Sequence, residues 1–231
     1  TQAVTDAATM STERNAKGRP RVMMGQGGGG AAFMPNKFVL PGGALDAGDG
    51  DITLAEPLAS ICAARLALAS TNTGANALAA AAIRELWEEA GLILGVPGNW
   101  DAPVPDNWQN FAATGHVASA AAMHFVFRAI TPPGRTRRFD ARFFLIDAQY
   151  LATDPDDFSR ASDELSPLQW VALDHARSFA LPCITEVVLA EIAAALPRIG
   201  PPTSVPLFNN SDEASHFERL AGGSPLNTQT S

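Results

Sequence analysis

Three glutamates lie close together in the stretch AAIRELWEEAGLIL, residues 81–94: Glu85, Glu88 and Glu89, with Arg84 beside them. In a helix these positions fall on neighbouring turns, where like charges repel by about 0.2–0.5 kcal/mol per pair. Bound Mg²⁺ or Mn²⁺ would offset this repulsion, because both ions prefer carboxylate oxygens. The alternative is an ordinary acidic face in water. The helix by itself allows both interpretations.

An amphipathic helix would position these carboxylates. Ile83, Leu86, Trp87 and Ala90 recur at i, i+3, i+4 and i+7, which predicts an apolar stripe against a core, with the glutamates on the opposite side. Gly91 is expected to end the helix through a left-handed cap.

The composition limits the classes of function. The chain has 231 residues, of which 46% are hydrophobic and 17% charged, so it can bury the core of one good-sized domain. A net charge of −8 argues against a nucleic-acid partner, which would require a basic surface. No apolar run is as long as a membrane span, so no membrane partner is expected. Cys62 and Cys183 lack metal-binding spacing, and we expect buried, reduced thiols and a cytoplasmic protein.

The chain divides into three parts by composition. Residues 1–19 are polar and predict a disordered tail, residues 20–200 predict one domain, and residues 201–231 predict a poorly ordered C-terminal tail. Within the domain, apolar stretches at 21–24, 121–133, 137–148 and 168–173 predict strands. Stretches at 58–70 and 183–196 predict helices in addition to the acidic one. Interleaved strands and helices indicate a mixed α/β sandwich.

A motif precedes the Ala-rich stretch 50–80. Residues 39–49, VLPGGALDAGD, taken with RELWEEAGL at 84–92, resemble the Nudix box, G-x5-E-x7-R-E-U-x-E-E-x-G-U with U aliphatic. Gly43 matches the opening glycine. The second half matches at every specified position: Arg84, Glu85, Leu86, Glu88, Glu89, Gly91 and Leu92. There are two departures. Asp49 stands where the pattern has Glu, and residues 50–83 form a spacer of 34 residues instead of seven, an insertion of 27.

Such an insertion resembles the branch of the Nudix family that includes certain coenzyme A diphosphatases. The stretches 32–43, 128–144 and 164–171 look similar to that branch as well. The resemblance implies a Nudix-type α/β/α sandwich with a mixed sheet and a helical insertion inside the box. It implies a metal-dependent hydrolase that cleaves the pyrophosphate of a nucleoside diphosphate linked to a group X, with a coenzyme A-like substrate weakly favoured. The alternative is a non-catalytic Nudix-fold protein that senses a nucleotide.

The resemblance also implies roles for individual residues. Glu85 and Glu89 would be the main ligands of Mg²⁺ or Mn²⁺, Glu88 would be a further ligand, and the carbonyl of Gly42 would add an oxygen. Arg84 would orient the carboxylates; its alternative is a surface ion pair.

A general base outside the box is expected on a later loop. Glu164 is the first candidate and Asp163 the second. The alternatives are that Glu164 is a solvated loop acid, or that Glu85 itself orients the attacking water.

Arginines form a basic cluster at 135–142, and we expect Arg135, Arg138 and Arg142 to bind substrate phosphates. Strand alternation places Arg138 and Arg142 on one face, with Asp140 between them. A structural ion-pair network is the alternative. The loop 26–30 contains no arginine, which counts against a coenzyme A substrate.

Two further features have two interpretations each. Trp108 either stacks on a base or packs in the core. The helix at 58–70 either forms the interface of a homodimer or packs on its own domain.

Overall fold

A computed structural model describes residues 3–16, 18–28, 36–68, 73–210 and 216–221. The strands are β1 Thr5–Ala16, β2 Arg19–Gly27, β3 Phe38–Val39, β4 Gly42–Ala44, β5 Gly95–Pro97, β6 His116–Ala118, β7 His124–Ile130, β8 Phe139–Asp147, β9 Leu165–Ala172, β10 Val205–Asn209 and β11 His216–Leu220. The helices are α1 Ser60–Ala67, α2 Ala75–Ala90, α3 Gln109–Ala112 and α4 Cys183–Ala195.

Nine strands form one mixed sheet in the order β11-β10-β7-β8-β1-β2-β3, with β4 added beside β1 and β9 beside β2. β1 runs parallel to β8 along nine residue pairs, from Thr5–Phe139 to Glu13–Asp147. The other edge of β1 is shared by two antiparallel strands. β4 pairs with its first half, and β2 pairs with its last residues. β1 therefore connects the box glycines of β4 to the main sheet.

The sheet has a separate apolar core on each face. One core contains Met10 and Phe144 of the sheet and the buried side of α2, including Leu86. The other contains Val22 and Leu145 together with the buried residues of α4. Helices thus cover both faces of a mixed sheet, which confirms the predicted α/β/α sandwich. In the described ranges, no helix is long and apolar enough to cross a membrane.

The prediction of a disordered tail at residues 1–19 was wrong. β1 occupies most of that stretch, and Ala8, Met10 and Ser11 in it are completely buried. Its apolar side chains are small and interrupted by hydroxyls, so the strand lacks the Val and Ile enrichment that marks a buried strand in a sequence. Burial comes from its neighbours β8, β2 and β4, which lie far apart in the chain.

The prediction of a poorly ordered segment at 201–231 also requires correction. β10 pairs in parallel with β7, and β11 pairs with β10, so both extend the sheet at its edge. Residues 211–215 and 222–231 lie outside the described part of the chain.

The insertion contains α1, as predicted, and α1 packs on its own domain. Cys62 and Leu66 are buried in the α2-side core. Arg65, which is 1% exposed, donates to the carbonyls of Pro202, Thr203 and Ala221. The insertion is therefore fastened to the C-terminal segment. Cys183, predicted to be buried, is exposed at the start of α4.

Candidate functional site

Helix α2 presents its carboxylates differently from the sequence prediction. Its apolar stripe packs as predicted, and Gly91 ends the helix with φ +70° while its N–H donates to Trp87 O over 2.8 Å. Glu88 is exposed, but Glu89 is only 7% exposed and the Glu85 side chain is 12% exposed. The glutamates thus do not form a solvated acidic face. Two of them turn inward, toward the strand that carries the box glycines.

Arg84 holds the carboxylates around it. Its Nη1–H donates to Glu85 Oε1 over 3.0 Å and to Glu88 Oε2 over 2.8 Å. On its other side, Nε–H and Nη2–H donate to the two oxygens of Asp49 over 2.9 and 3.0 Å. Arg84 is 3% exposed, so the alternative of a surface ion pair does not describe it.

Asp49 holds the Arg84 guanidinium on the side away from Glu85 and Glu88. It is 1% exposed in a short 3-10 turn, Ala47–Asp51, and accepts hydrogen bonds from the Asp46 N–H over 2.8 Å and the Trp108 indole over 2.9 Å. Asp49, which stands where the family pattern has Glu, therefore accepts four hydrogen bonds with its shorter side chain. A charge buried this deeply is stable only because it is paired and hydrogen-bonded.

Trp108 belongs to this site, although sequence analysis gave it no such role. Its side chain is completely buried, which supports packing over base stacking, and its indole is also a hydrogen-bond donor to Asp49. It lies 59 positions after Asp49, in a Pro-rich stretch without local periodicity. No pattern in the sequence indicates this contact.

Gly42 and Gly43 allow close contacts on both sides of β4, with β1 at Gly42 and with α2 at Gly43. The Gly42 N–H donates to Glu89 Oε2 over 2.8 Å. A Cβ on Gly42 would lie 2.6 Å from Thr9 Cα, and a Cβ on Gly43 would lie 2.6 Å from Glu85 Cδ. A side chain at Gly43 would therefore occupy the space of the Glu85 carboxylate.

The pKa values of the two inward carboxylates, Glu85 and Glu89, are raised above that of an ordinary glutamate. Burial raises the pKa of Glu85 to about 7; Arg84 opposes this shift, while the charges of Glu88 and Glu164 add to it. Burial also raises the pKa of Glu89 well above its ordinary value, with further contributions from Glu85 and Glu164 and an opposing one from the Gly42 hydrogen bond. A cation that replaced these protons would relieve the desolvation and the repulsion together.

Glu164 lies on a loop that packs against the end of α2. The Ser162 N–H donates to Glu88 O over 3.2 Å, and Gly91 lets the loop approach, since a Cβ there would lie 2.8 Å from Arg160 Cβ. Glu164 is exposed, and its charge contributes to the raised pKa of Glu85 and Glu89. The fold thus brings this distant acid to the site. Its role as general base stays a prediction.

The basic cluster is mostly a buried network. Arg142 is 0% exposed and pairs with Asp6 and, over 3.1 Å, with Asp140. Asp140 also accepts two hydrogen bonds from Arg128, over 2.8 and 2.6 Å. The predicted substrate role of Arg142 is therefore corrected to the structural alternative. Sequence analysis missed Asp6 and Arg128, because they join the network only through strand pairing.

The remaining arginines of the cluster differ in exposure. Arg138 is 5% exposed and donates to Thr131 O over 3.1 Å, so its predicted contact with substrate phosphates is not available in this structure. Arg135 is exposed in the turn between β7 and β8 and stays a prediction. That turn lies beyond the Thr5 end of β1, about four residues or 13 Å along the strand from Gly42.

The donor set fits a hard divalent cation in its chemistry. Glu85, Glu88 and Glu89 supply carboxylate oxygens, and the absence of a side chain on Gly43 lets the Glu85 carboxylate lie against β4. Across the described ranges, no three Asp, Glu, His or Cys side chains are already gathered as a metal site. Glu85 and Glu88 each turn one carboxylate oxygen toward Arg84, so the present arrangement is an ion-pair cluster around its guanidinium.

The fold is similar to that of solved structures. A Nudix hydrolase from Alicyclobacillus acidocaldarius superimposes with a TM-score of 0.62 at 25% identity, covering 87% of this chain and 99% of the other. A MutT protein from Methanosarcina mazei Go1 gives a TM-score of 0.48 at 15% identity, covering 85% and 98%. No protein-family model and no curated protein matches the sequence.

The structure combines three features: the α/β/α sandwich, the two box glycines on β4, and the carboxylates of α2 that surround Arg84. Together with the similarity to the Alicyclobacillus acidocaldarius Nudix hydrolase, these features support a pyrophosphohydrolase enzyme with a Nudix-like fold.

Proposed function

We propose that this chain is a metal-dependent hydrolase that cleaves the pyrophosphate of a nucleoside diphosphate linked to a second group. One observation carries the proposal: α2 turns Glu85 and Glu89 inward against Gly42 and Gly43 while Arg84 holds Glu85 in place. An acidic surface helix with no further role would leave these side chains in water. Here their burial is maintained at the cost of strongly raised pKa values.

Glu85 and Glu89 would hold Mg²⁺ or Mn²⁺, with Glu88 and the Gly42 carbonyl as further oxygen donors. When bound, such an ion neutralises phosphoryl charge and lowers the pKa of water. The chain's own residues then have separate tasks. Arg84 keeps the carboxylates oriented through Asp49, and Glu164, exposed on the loop that packs on α2, is the candidate to accept a proton from the attacking water.

A panel of compounds tests this proposal. Coenzyme A is included because of the insertion, together with ADP-ribose, NADH and diadenosine polyphosphates, each with Mg²⁺ or Mn²⁺. Cleavage in H₂¹⁸O locates the phosphorus that is attacked. We expect one compound to be cleaved between its phosphates, and Glu89→Gln to lower kcat by roughly 10²–10⁴-fold.

The matched control is Glu186→Gln, which removes an exposed glutamate from α4 and should leave the rate unchanged. The second candidate function is a nucleotide sensor, which the engagement of Glu85 and Glu88 by Arg84 favours. Binding of Mn²⁺ and of a panel compound without any cleavage would overturn the hydrolase and support the sensor.

A further inference from the structure

A cavity of about 980 Å³ lies at the end of β1 away from its pairing with β4. Glu13, which lines it, is four residues beyond Thr9, about 13 Å along the strand from the partner of Gly42. The cavity has a size typical of small-molecule sites, which is about 300–1,000 Å³. None of the box residues discussed above lines it.

Glu13 is a buried acid without a cation. It is 2% exposed, and among the described residues its Oε1 has no hydrogen-bond partner. Burial and the charge of Asp147, its neighbour on β8, raise the pKa of Glu13 to about 7. The adjacent Arg14 points away, pairing with Asp156 over 2.7 Å and stacking 4.5 Å over Trp170. A buried polar atom without a hydrogen-bond partner is destabilising, so a ligand that brings an N–H donor to Glu13 Oε1 would be favoured.

His124 offers a second polar group on the same face. It starts β7 opposite Leu145, two residues before Asp147, so the pleat places its side chain on the side of Asp147 and Glu13. Within the described chain its Nδ1 has no partner, and burial lowers its pKa, which favours the neutral imidazole. β8 lies between β7 and β1, and the two residues are offset by two positions along the strands, so their backbone positions are about 12 Å apart.

The surroundings select the charge of a ligand. Of the described residues that line the cavity, none is a lysine or an arginine, whereas Glu13, Glu56 and Asp147 are acidic. The C-terminal turn of α4 also reaches the cavity through Ala193 and Leu196, and this end of a helix carries partial negative charge. Phosphates and carboxylates are therefore disfavoured. Leu94, Val96 and Ile199 supply apolar walls for an alkyl segment.

We propose that this cavity binds a small organic dication of the alkyl-diamine class, with one ammonium on Glu13 and the other end directed toward His124. An ammonium carries three N–H donors, so it can donate a hydrogen bond to Glu13 Oε1 and neutralise the charge of this carboxylate. The separation across the strands requires a ligand with two polar ends. A metal ion fits less well, because both oxygens of Asp147 already accept hydrogen bonds from Gln149, over 2.9 Å each.

Calorimetric titration of the full chain with putrescine and cadaverine at 150 mM salt tests the proposal. We expect saturable binding at one site, weaker binding of butylamine, and none of succinate or 1,4-butanediol. Glu13→Gln keeps the shape of the side chain and should weaken diamine binding at least tenfold. Glu218→Gln removes an exposed charge on β11 and is the matched control, because an acidic chain also attracts diamines without specificity.

Equal loss in both variants, or no loss in Glu13→Gln, would overturn the proposal, as would the absence of saturable binding. The Glu89→Gln variant should bind the diamine as the unmodified chain does. The cavity proposal therefore stands or fails independently of hydrolysis.

Discussion

The indole Nε1–H of Trp108 donates to Asp49 Oδ1 over 2.9 Å, and the two residues are 59 positions apart in the chain. Arg84 Nε–H donates to the same oxygen. The segment between β5 and α3 thus holds Asp49, and Asp49 in turn holds the Arg84 side chain that orients the carboxylates of α2. Trp108→Phe keeps most of the packing and removes this donor, so we expect a loss of about 1–3 kcal/mol in stability. We also expect kcat to fall roughly 3–30-fold with little change in KM, measured on the best panel substrate.

Trp100→Phe is the matched control. Trp100 packs against Trp108, and its indole donates to His116 O over 2.9 Å instead of Asp49. Equal effects of the two substitutions on kcat would show that Trp108 acts only through packing.

Asp49→Asn should be among the most damaging substitutions in the site. It leaves the Arg84 guanidinium buried without its main anion, which costs about 3–5 kcal/mol. Asp49→Glu restores the residue of the family pattern but adds a methylene at a position that is 1% exposed, and we expect a loss of about 1–3 kcal/mol. Thermal unfolding measures both. A Glu variant more stable than the unmodified chain would show that the site was not shaped around the shorter acid.

Gly43→Ala should abolish activity while the protein stays folded, because the new methyl would displace the Glu85 carboxylate from β4. We expect kcat to fall by more than roughly 10²-fold, since a small misplacement of a catalytic group costs about that much. Gly50→Ala is the control: its Cβ would meet nothing within 4 Å. A Gly43→Ala variant as active as Gly50→Ala would mean that the contact with Glu85 is unimportant.

Metal affinity should weaken as pH falls through about 7. Glu85 is protonated below its raised pKa, and Glu89 is shifted in the same direction, so protons compete with the cation. The expected slope is about tenfold per pH unit for each proton displaced. Calorimetry with Mn²⁺ in two buffers of different ionisation enthalpy would count the protons released. An affinity that is equal at pH 6 and pH 8 contradicts this prediction.

Glu13→Gln should stabilise the ligand-free protein above pH 7. In the folded state the pKa of Glu13 is raised from 4.5 to about 7, so the folded protein keeps a proton that the unfolded chain releases. The free energy of unfolding therefore decreases as pH rises from about 4.5 to 7, because the unfolded chain releases the Glu13 proton over this range and the folded protein keeps it. Asp147 from β8 and His124 from β7 face the same side. Relative to the unmodified chain, we expect Tm to rise by about 3–10 °C at pH 8 and much less at pH 5.

The features that sequence analysis predicts best are those set by the spacing of residues within a single helix or strand. The periodicity of α2, its end at Gly91 and the box residues are all visible within a few positions, and the structure places them as a unit. Contacts set by pairing of distant strands are not visible in this way. β1 looks polar because its burial depends on β8, about 130 residues later, and Arg142 looks available because Asp6 reaches it only across that pairing. The contact of Trp108 with Asp49 is hidden for the same reason.

Arg65 on α1 joins the insertion to the C-terminal segment through three hydrogen bonds. The candidate site therefore depends for its folding on residues that are not part of it. All of the box residues, and Glu164, precede residue 170, yet the three carbonyls that accept from Arg65 belong to Pro202, Thr203 and Ala221. During synthesis these acceptors for the guanidinium do not exist until residues 202–221 have been made. A fragment ending at residue 200 would carry every residue that we propose for hydrolysis, but Arg65 would lack these three carbonyl acceptors. Loss of activity on C-terminal trimming would therefore report a folding defect in the insertion, and not a missing catalytic residue.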